Sequence, residues 1–209
     1  LLYFLIPHRI RYIWLLAASY YFYMCWNAKY ALLLAASTII TYASGRLIAK
    51  AVNLPDESSA RRWKKIWVAL SFTLNLAILF FFKYFDFAVD NLNAILSGLG
   101  MSLLNPAFDV LLPVGISFYT FQALSYTMDV YRGEIPPERN LLKYALFVSF
   151  FPQLVAGPIE RSKNLLPQIS QHHTFQWLRV KEGLLLMVWG LFLKLVIADR
   201  AALMVNQVY

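Results

Sequence analysis

Two apolar runs between Leu112 and Arg161 constrain this chain more than any other feature. The first reads LPVGISFYTFQALSYTMDVYRG and the second LLKYALFVSFFPQLVAGPIER, with a short polar linker between them. Each approaches the roughly 20 residues that an α-helix needs to cross the ~30 Å hydrocarbon core of a bilayer. Each also carries residues that a plain anchor does not need. Gln122, Ser125 and Asp129 sit in the first run, and Pro152, Gln153, Gly157 and Pro158 in the second. Polar groups and broken backbone are costly in hydrocarbon unless they face protein or a water-filled cavity. The two runs therefore read as the wall of an intramembrane site.

The rest of the chain agrees with a membrane setting. Hydrophobic residues make up 60% of it, too many for an ordinary soluble domain. The expected class is an all-α, polytopic integral membrane bundle with a re-entrant or broken helix near 141–158, forming one membrane domain over 1–209. The net charge of +8 does not point to nucleic acid, because the basic residues fall in short clusters between apolar runs. That is the positive-inside pattern of membrane proteins. Cys25 is the single cysteine, so neither an internal disulfide nor a Cys-based metal site is available. LLYFLI at the start is too short for a span or for the core of a signal peptide, and no initiator Met precedes it. The expectation is a first helix cut at the N-terminus.

Taken in order, HRIR is a basic turn. Tyr12–Trp26 and Ala28–Ser44 are apolar, and Trp26-Asn27-Ala28 between them predicts a helical hairpin. Arg9, Arg11, Arg46 and Lys50 mark its outer ends. Asn53–Lys65 reads as a polar, cytoplasmic loop containing Arg61, Arg62, Lys64 and Lys65. The positive-inside rule accounts for that cluster, and an anionic-lipid contact is the other reading. Ile66–Phe82 is the cleanest span, with Lys83 and Tyr84 at its far interface. From Asp86, polar residues recur on one helical face through Asp90, Asn93 and Ser97, which predicts an amphipathic helix ended by Ser97-Gly98-Leu99-Gly100.

In the first of the two central runs, Tyr119, Gln122, Tyr126 and Asp129 fall at i, i+3, i+7 and i+10. This polar-aromatic stripe must face protein. It serves either a substrate path or helix–helix hydrogen bonds. Asp129 and Arg132 are spaced to pair. In the second run, Leu141–Phe151 is helical in character. Pro152 and then Gly157-Pro158 break it after about 16 Å of rise, half a bilayer. A re-entrant turn would also leave Arg132, Arg139, Lys143, Arg161 and Lys163 on one side.

PVGISFYTFQALSYTMDVYRG followed by FFPQLVAGPIERS, together with the later GLLLMVWGLFLKLVIADR, resembles the membrane-bound O-acyltransferase family, on the branch of the alginate O-acetylation proteins. The D-alanyl transfer proteins of Gram-positive walls are a related branch. The resemblance implies transfer of an acetyl or similar short acyl group from a cytoplasmic donor such as acetyl-CoA. It implies a multi-pass protein of the bacterial inner membrane, acting toward a cell-envelope polysaccharide or an extracytoplasmic partner protein. It also implies a catalytic histidine on an apolar helix. His8, His172 and His173 are the histidines here, and none lies in an apolar run. The family histidine is expected downstream of Tyr209, so no catalytic residue is assigned within 1–209. The lining candidates are Gln122, Asp129, Arg132, Gln153, Gly157, Pro158 and Arg161. Gly157 would allow close backbone approach, and Arg161 either marks the cytoplasmic interface or holds a phosphate or carboxylate of the donor.

Other chemistry is poorly supported. His172-His173 lacks the Asp and Gly of the soluble HHxxxDG acyltransferase pattern, and two adjacent residues point to different sides of a helix. Gly115-Ile116-Ser117-Phe118-Tyr119 lacks the second Gly of a nucleophile elbow. No metal-ligand spacing occurs. Lys194 interrupts the last span, Glu182–Val205, close to Asp199 and Arg200, where snorkelling to the interface accounts for it. A transporter or channel lined by broken helices is the rival from another class.

Overall fold

The computed structural model describes residues 2–102, 112–155 and 157–208. It falls into two compact units, Leu1–Gln171 and His172–Tyr209. All regular elements among the described residues are helical.

The first unit opens with α1 (Leu2–Leu5) and a 3₁₀ turn (His8–Ile10). α2 (Arg11–Val52) is a helix of two arms. Asn27 between them is extended, at φ −160° and ψ 114°. Its side chain accepts the Lys29 N–H at 3.0 Å, so Asn27 caps the second arm as it ends the first. Ile13, Ala17 and Tyr20 of one arm line a common cavity with Ala35, Thr38 and Ile39 of the other, so the arms fold back on each other as a hairpin. The second arm is longer than the sequence suggested. It carries Arg46 and Lys50 within the helix, since nothing between Ala28 and Val52 breaks it.

The polar loop is correspondingly shorter than expected. Asp56 accepts the N–H groups of Ser58 and Ser59, at 3.2 and 3.0 Å, and starts α3 (Glu57–Gly98) there, so Arg61–Lys65 are helical. α3 also runs straight through Lys83–Asp86, where an interface and a new helix were expected. It has no Pro or Gly before Gly98, and its 42 residues rise about 63 Å. Its end is as read from the glycines. Gly100 is left-handed at φ 68°, with Met101 N–H bonded to Leu96 O and Gly100 N–H to Ser97 O.

α4 (Ile116–Arg132) begins at Gly115 and closes at Gly133 by the same paired bonds, Glu134 N–H to Asp129 O and Gly133 N–H to Val130 O. α5 (Leu141–Ser149) is capped by Asn140, α6 (Phe151–Leu154) is a single turn, and α7 (Ser162–Ser170) lies in what the sequence suggested was a plain connector. α2 packs on α3, α4 and α5. Leu34, Ile48, Tyr119, Tyr126, Tyr144 and Phe147 form the fully buried centre.

The packing is inside-out by the standards of a water-soluble protein. On α3 the buried set includes Ser71 and Asn75, while Leu70, Leu74 and Phe80 are exposed. Ser37 Oγ donates to Asn75 Oδ1 at 2.5 Å, Asn75 Nδ2 donates to Ser71 O at 2.9 Å, and the Ser71 and Thr127 hydroxyls meet at 3.3 Å. The apolar outside suits lipid, and the hydroxyl and amide bonds hold α2, α3 and α4 together where the hydrophobic effect gives no drive. Glu57–Gly98 is one helix long and apolar enough to cross a membrane, and His8–Val52 is as apolar but is divided at Asn27 into two arms. Helices of this length with apolar outer faces fit a membrane protein.

The second unit is a helical run: α8 (Trp177–Phe192), a π-helical segment (Leu193–Ala198) and α9 (Asp199–Val208). Within it Lys194 Nζ reaches Asp199 Oδ1 at 2.8 Å. Residues five apart lie about 140° apart around an α-helix. The wider π segment brings these two onto one side.

Candidate functional site

The central break is built from four elements. Pro152 has no N–H for the carbonyl of Val148, and its ring would collide with that carbonyl, so the helix cannot continue. The chain departs at Phe150 (φ −56°, ψ 107°) and restarts with Pro152 in the first turn of α6. The backbone groups so freed find side chains. Gln122 Nε2 of α4 donates to Phe147 O at 2.7 Å, Gln153 Nε2 donates to the same oxygen at 3.4 Å, and Phe151 N–H donates to Ser19 Oγ at 3.3 Å. Ser19 lies midway along the first arm of α2, so the break sits about half-way down the bundle. Gly115 lies against it. A Cβ there would be built into the carbonyl oxygen of Leu154.

The chain then returns to the end it left. Ser162 Oγ donates to Asp129 Oδ2 at 2.6 Å, and Lys163 Nζ lies 3.8 Å from Glu134, both at the end of α4. Lys143, in the first turn of α5, donates to Ser170 Oγ at 3.0 Å. A kinked span would deliver Ser162 to the opposite end. Both ends of the broken helical segment, at Asn140 and at Ser162, therefore lie at the same end of α4, and the segment is called the dip below.

That end is basic. The start of α2 joins it through Tyr12, which lies 3.5 Å from Asn140 Nδ2. The start of α3 joins it through Lys64, 5.1 Å from the ring centre of Tyr131. Tyr42 OH donates to Arg139 O at 2.7 Å. Arg11, Arg61–Lys65, Arg132, Arg139, Lys143 and Lys163 thus belong to elements whose ends meet there.

The polar stripe of α4 faces inward, with Tyr119, Gln122, Tyr126 and Asp129 buried and Ser125 half-buried. Gln122 and Asp129 spend their polar atoms on the dip and its return. Tyr126 packs 4.4 Å from Tyr144, and its hydroxyl accepts the Glu138 N–H at 3.0 Å. The expected Asp129–Arg132 pair does not form. Ser162 takes the carboxylate, and Arg132, which is exposed, lies 3.8 Å from Glu134 instead. Gly157 gives close approach to its own segment: its N–H bonds to Gln153 O at 3.0 Å, and a Cβ there would strike Gln153. Pro158 and Arg161 are exposed, and Ala156 of the VAGPIER string lies outside the described residues. Arg161 precedes α7 at the basic end.

Sequence reasoning missed Ser19, Tyr23 and Ser149. Tyr23 OH donates to Val114 O at 3.1 Å just before α4. The hydroxyl of Tyr119 is buried beside that of Tyr23, and the hydroxyl of Ser149, at the break, is buried without a hydrogen-bond partner among the described residues. Ser19 and Ser149 carried no pattern of their own. Ser37, Thr38, Thr41 and Ser44 recur at helical spacing, a pattern that would have revealed the polar seam in which Tyr144 OH donates to Thr41 Oγ1 at 2.7 Å. His8 lies in the turn before α2, His172 and His173 in the loop after α7, and no metal-holding cluster occurs among the described residues.

No protein-family model and no solved structure matches this chain. Curated relatives do. It is 40% identical over 201 residues to a probable alginate O-acetylase of Azotobacter vinelandii, covering 96% of this chain and 39% of the relative. It is 38% identical over 208 residues to the probable alginate O-acetylase of Pseudomonas aeruginosa, covering 100% of this chain and 38% of that one. A peptidoglycan O-acetyltransferase of Helicobacter pylori is 35% identical over 217 residues, covering 91% and 39% respectively. The chain belongs to the membrane-bound O-acyltransferase family. It spans about two fifths of the length of these relatives.

Proposed function

We propose that the whole protein is a multi-pass O-acyltransferase of the bacterial inner membrane. It moves an acetyl or similar short acyl group to a hydroxyl of a cell-envelope polysaccharide, directly or through an extracytoplasmic partner protein. The observation that carries this reading is the dip at 141–161. It is entered from the basic end, broken half-way down the bundle, and stitched to α4 by Gln122. The relatives named for O-acetylation give the chemistry. The positive-inside rule puts the basic end in the cytoplasm. The donor, of the acetyl-CoA type, is met there.

Acyl transfer needs a base to take the alcohol proton and polar groups to hold the developing oxyanion. Among the described residues the bundle interior has no histidine, and the base is assigned to a histidine outside this chain. What 1–209 contributes is position: Gln122, Asp129 and Gln153 fix the break, and Arg161 stands at its cytoplasmic mouth, where a planar five-donor group suits a donor phosphate. The test uses proteoliposomes of the full-length protein supplied with labelled acetyl-CoA and polysaccharide, with ester formation as the readout. Arg161→Lys keeps the charge and loses the fork. It should cost roughly ten- to a hundred-fold in activity at unchanged abundance, the scale of a hydrogen bond to a charged group. Full activity of that variant would end the donor contact, and no ester from the wild type with any acyl donor would end the transferase reading.

A further inference from the structure

The cations at the basic end are not all alike. Arg132 and Lys163 each lie 3.8 Å from Glu134. Lys64 lies over the ring of Tyr131. Arg61, Arg62 and Lys65 have no ion-pair or ring partner among the described residues. They share one face of α3 and, with Glu57 and Ser58 of the same helix, border a shallow surface hollow of about 490 Å³. A topology signal needs positive charge in aggregate and does not need it gathered around a hollow.

Depth is marked on the same helix. Trp63 and Trp67 stack with ring centres 6.0 Å apart, and Trp63 is exposed. Tryptophan favours the level of the lipid headgroups. The apolar run of α3 begins at Ile66. The hollow therefore opens at headgroup level, beside hydrocarbon.

We propose that this hollow binds the phosphate of an anionic phospholipid of the phosphatidylglycerol class. Two guanidinium groups offer bidentate hydrogen bonds to a phosphate, and Lys65 adds a point charge. Glu57 is the one carboxylate that lines the hollow against three cations, so the lipid phosphate supplies counter-charge for the excess, and its acyl chains lie along the exposed apolar face below. The site does not depend on acyl transfer and stands whether or not that reading does.

The test is native mass spectrometry of the full-length protein released from detergent with equimolar phosphatidylglycerol and phosphatidylcholine. The wild type is expected to retain phosphatidylglycerol preferentially. Arg62→Gln should reduce that preference on the order of five-fold, and Arg61→Gln/Arg62→Gln/Lys65→Gln on the order of a hundred-fold. Lys163→Gln, whose lysine is already opposite Glu134, should leave it unchanged. Because removing three charges can disturb insertion, Arg61→Lys/Arg62→Lys serves as the charge-neutral control, and it should still lose part of the preference with the fork geometry. Equal retention of the two lipids by the wild type, or an unchanged preference in the triple variant, would overturn the proposal. Displacement of the lipid by millimolar inorganic phosphate would overturn it too, by assigning the hollow to a soluble anion.

Discussion

α3 and the α5–α6 pair have similar apolar character and opposite structures. α3 runs 42 residues without interruption, whereas α5 stops after nine and α6 after four. The difference lies in Pro152, Gly157 and Pro158, because α3 has no such residue before Gly98. The difference also has a cost that other elements meet. Where α3 satisfies its own backbone, the break at Phe150 borrows Gln122 from α4 and Ser19 from α2. A break is tolerated inside this bundle where donors have been placed around it, and the polar stripe of α4 is explained by that need.

Placing a break where no donors are arranged should have the largest effect. Ala77 lies in the middle of α3 and is exposed, so Ala77→Pro changes the backbone with little change in packing. It removes the bond to the Thr73 carbonyl and should destabilise the full-length protein by about 3 kcal/mol or more. Thermal unfolding in detergent measures it. Pro152→Ala, at a site already arranged for a break, should cost far less. Equal losses in the two would break the comparison.

Gly115→Ala comes next. Gly115 is left-handed at φ 72°, and a Cβ there meets backbone of Leu154, which cannot swing aside. The left-handed conformation alone costs an alanine about 1–2 kcal/mol, and the clash adds to it. Unfolding in detergent should show a loss of about 2 kcal/mol or more. Wild-type stability would mean that α4 does not rest on α6.

Gln122→Leu keeps the size and removes the donor to Phe147 O. A buried carbonyl left unpaired costs about 1–3 kcal/mol. Gln153, at 3.4 Å from the same oxygen, should recover part of that, so the double variant Gln122→Leu/Gln153→Leu should lose more than the two single losses added together. Strict additivity in a double-mutant cycle would remove the shared-acceptor account.

Much of this was legible in the sequence, and what failed failed for a common reason. Local chemistry announced the turn at Asn27, the end of α3 at its glycines, the half-helix before Pro152 and the inward stripe of α4. Each rests on a residue whose own backbone or periodicity decides the outcome. Partner choice was not legible. Asp129 is spaced for Arg132, yet it takes Ser162, because the dip brings α7 back to the end of α4. Gln122 was read as channel lining or glue, and only the fold shows which carbonyl it serves. The break expected at Lys83–Asp86 failed differently. Polarity changes there, but polarity does not end a helix when no Gly or Pro follows.

The last contrast is between two helix starts. α3 begins at Asp56 and α5 at Asn140, and each side chain accepts two backbone N–H groups, from Ser58 and Ser59 and from Leu142 and Lys143. Asp56 titrates and Asn140 does not. The Ser59 and Ser58 side chains and N–H groups hold the Asp56 carboxyl down at about 2, against an ordinary value of 3.8. A carboxyl whose folded pKa is depressed stabilises the fold above its unfolded value and loses that contribution as pH falls through the folded one. The cap on α3 should therefore hold above about pH 4 and weaken between about pH 4 and pH 2, while the cap on α5 keeps its strength. Amide hydrogen exchange, corrected for its intrinsic pH dependence, separates them. Protection at Ser58 and Ser59 should fall across that window, while Leu142 and Lys143 hold theirs. Asp56→Asn should abolish the difference, since an amide caps at every pH. Parallel loss at both starts would mean that acid loosens the whole end of the bundle and that Asp56 is not the group responsible.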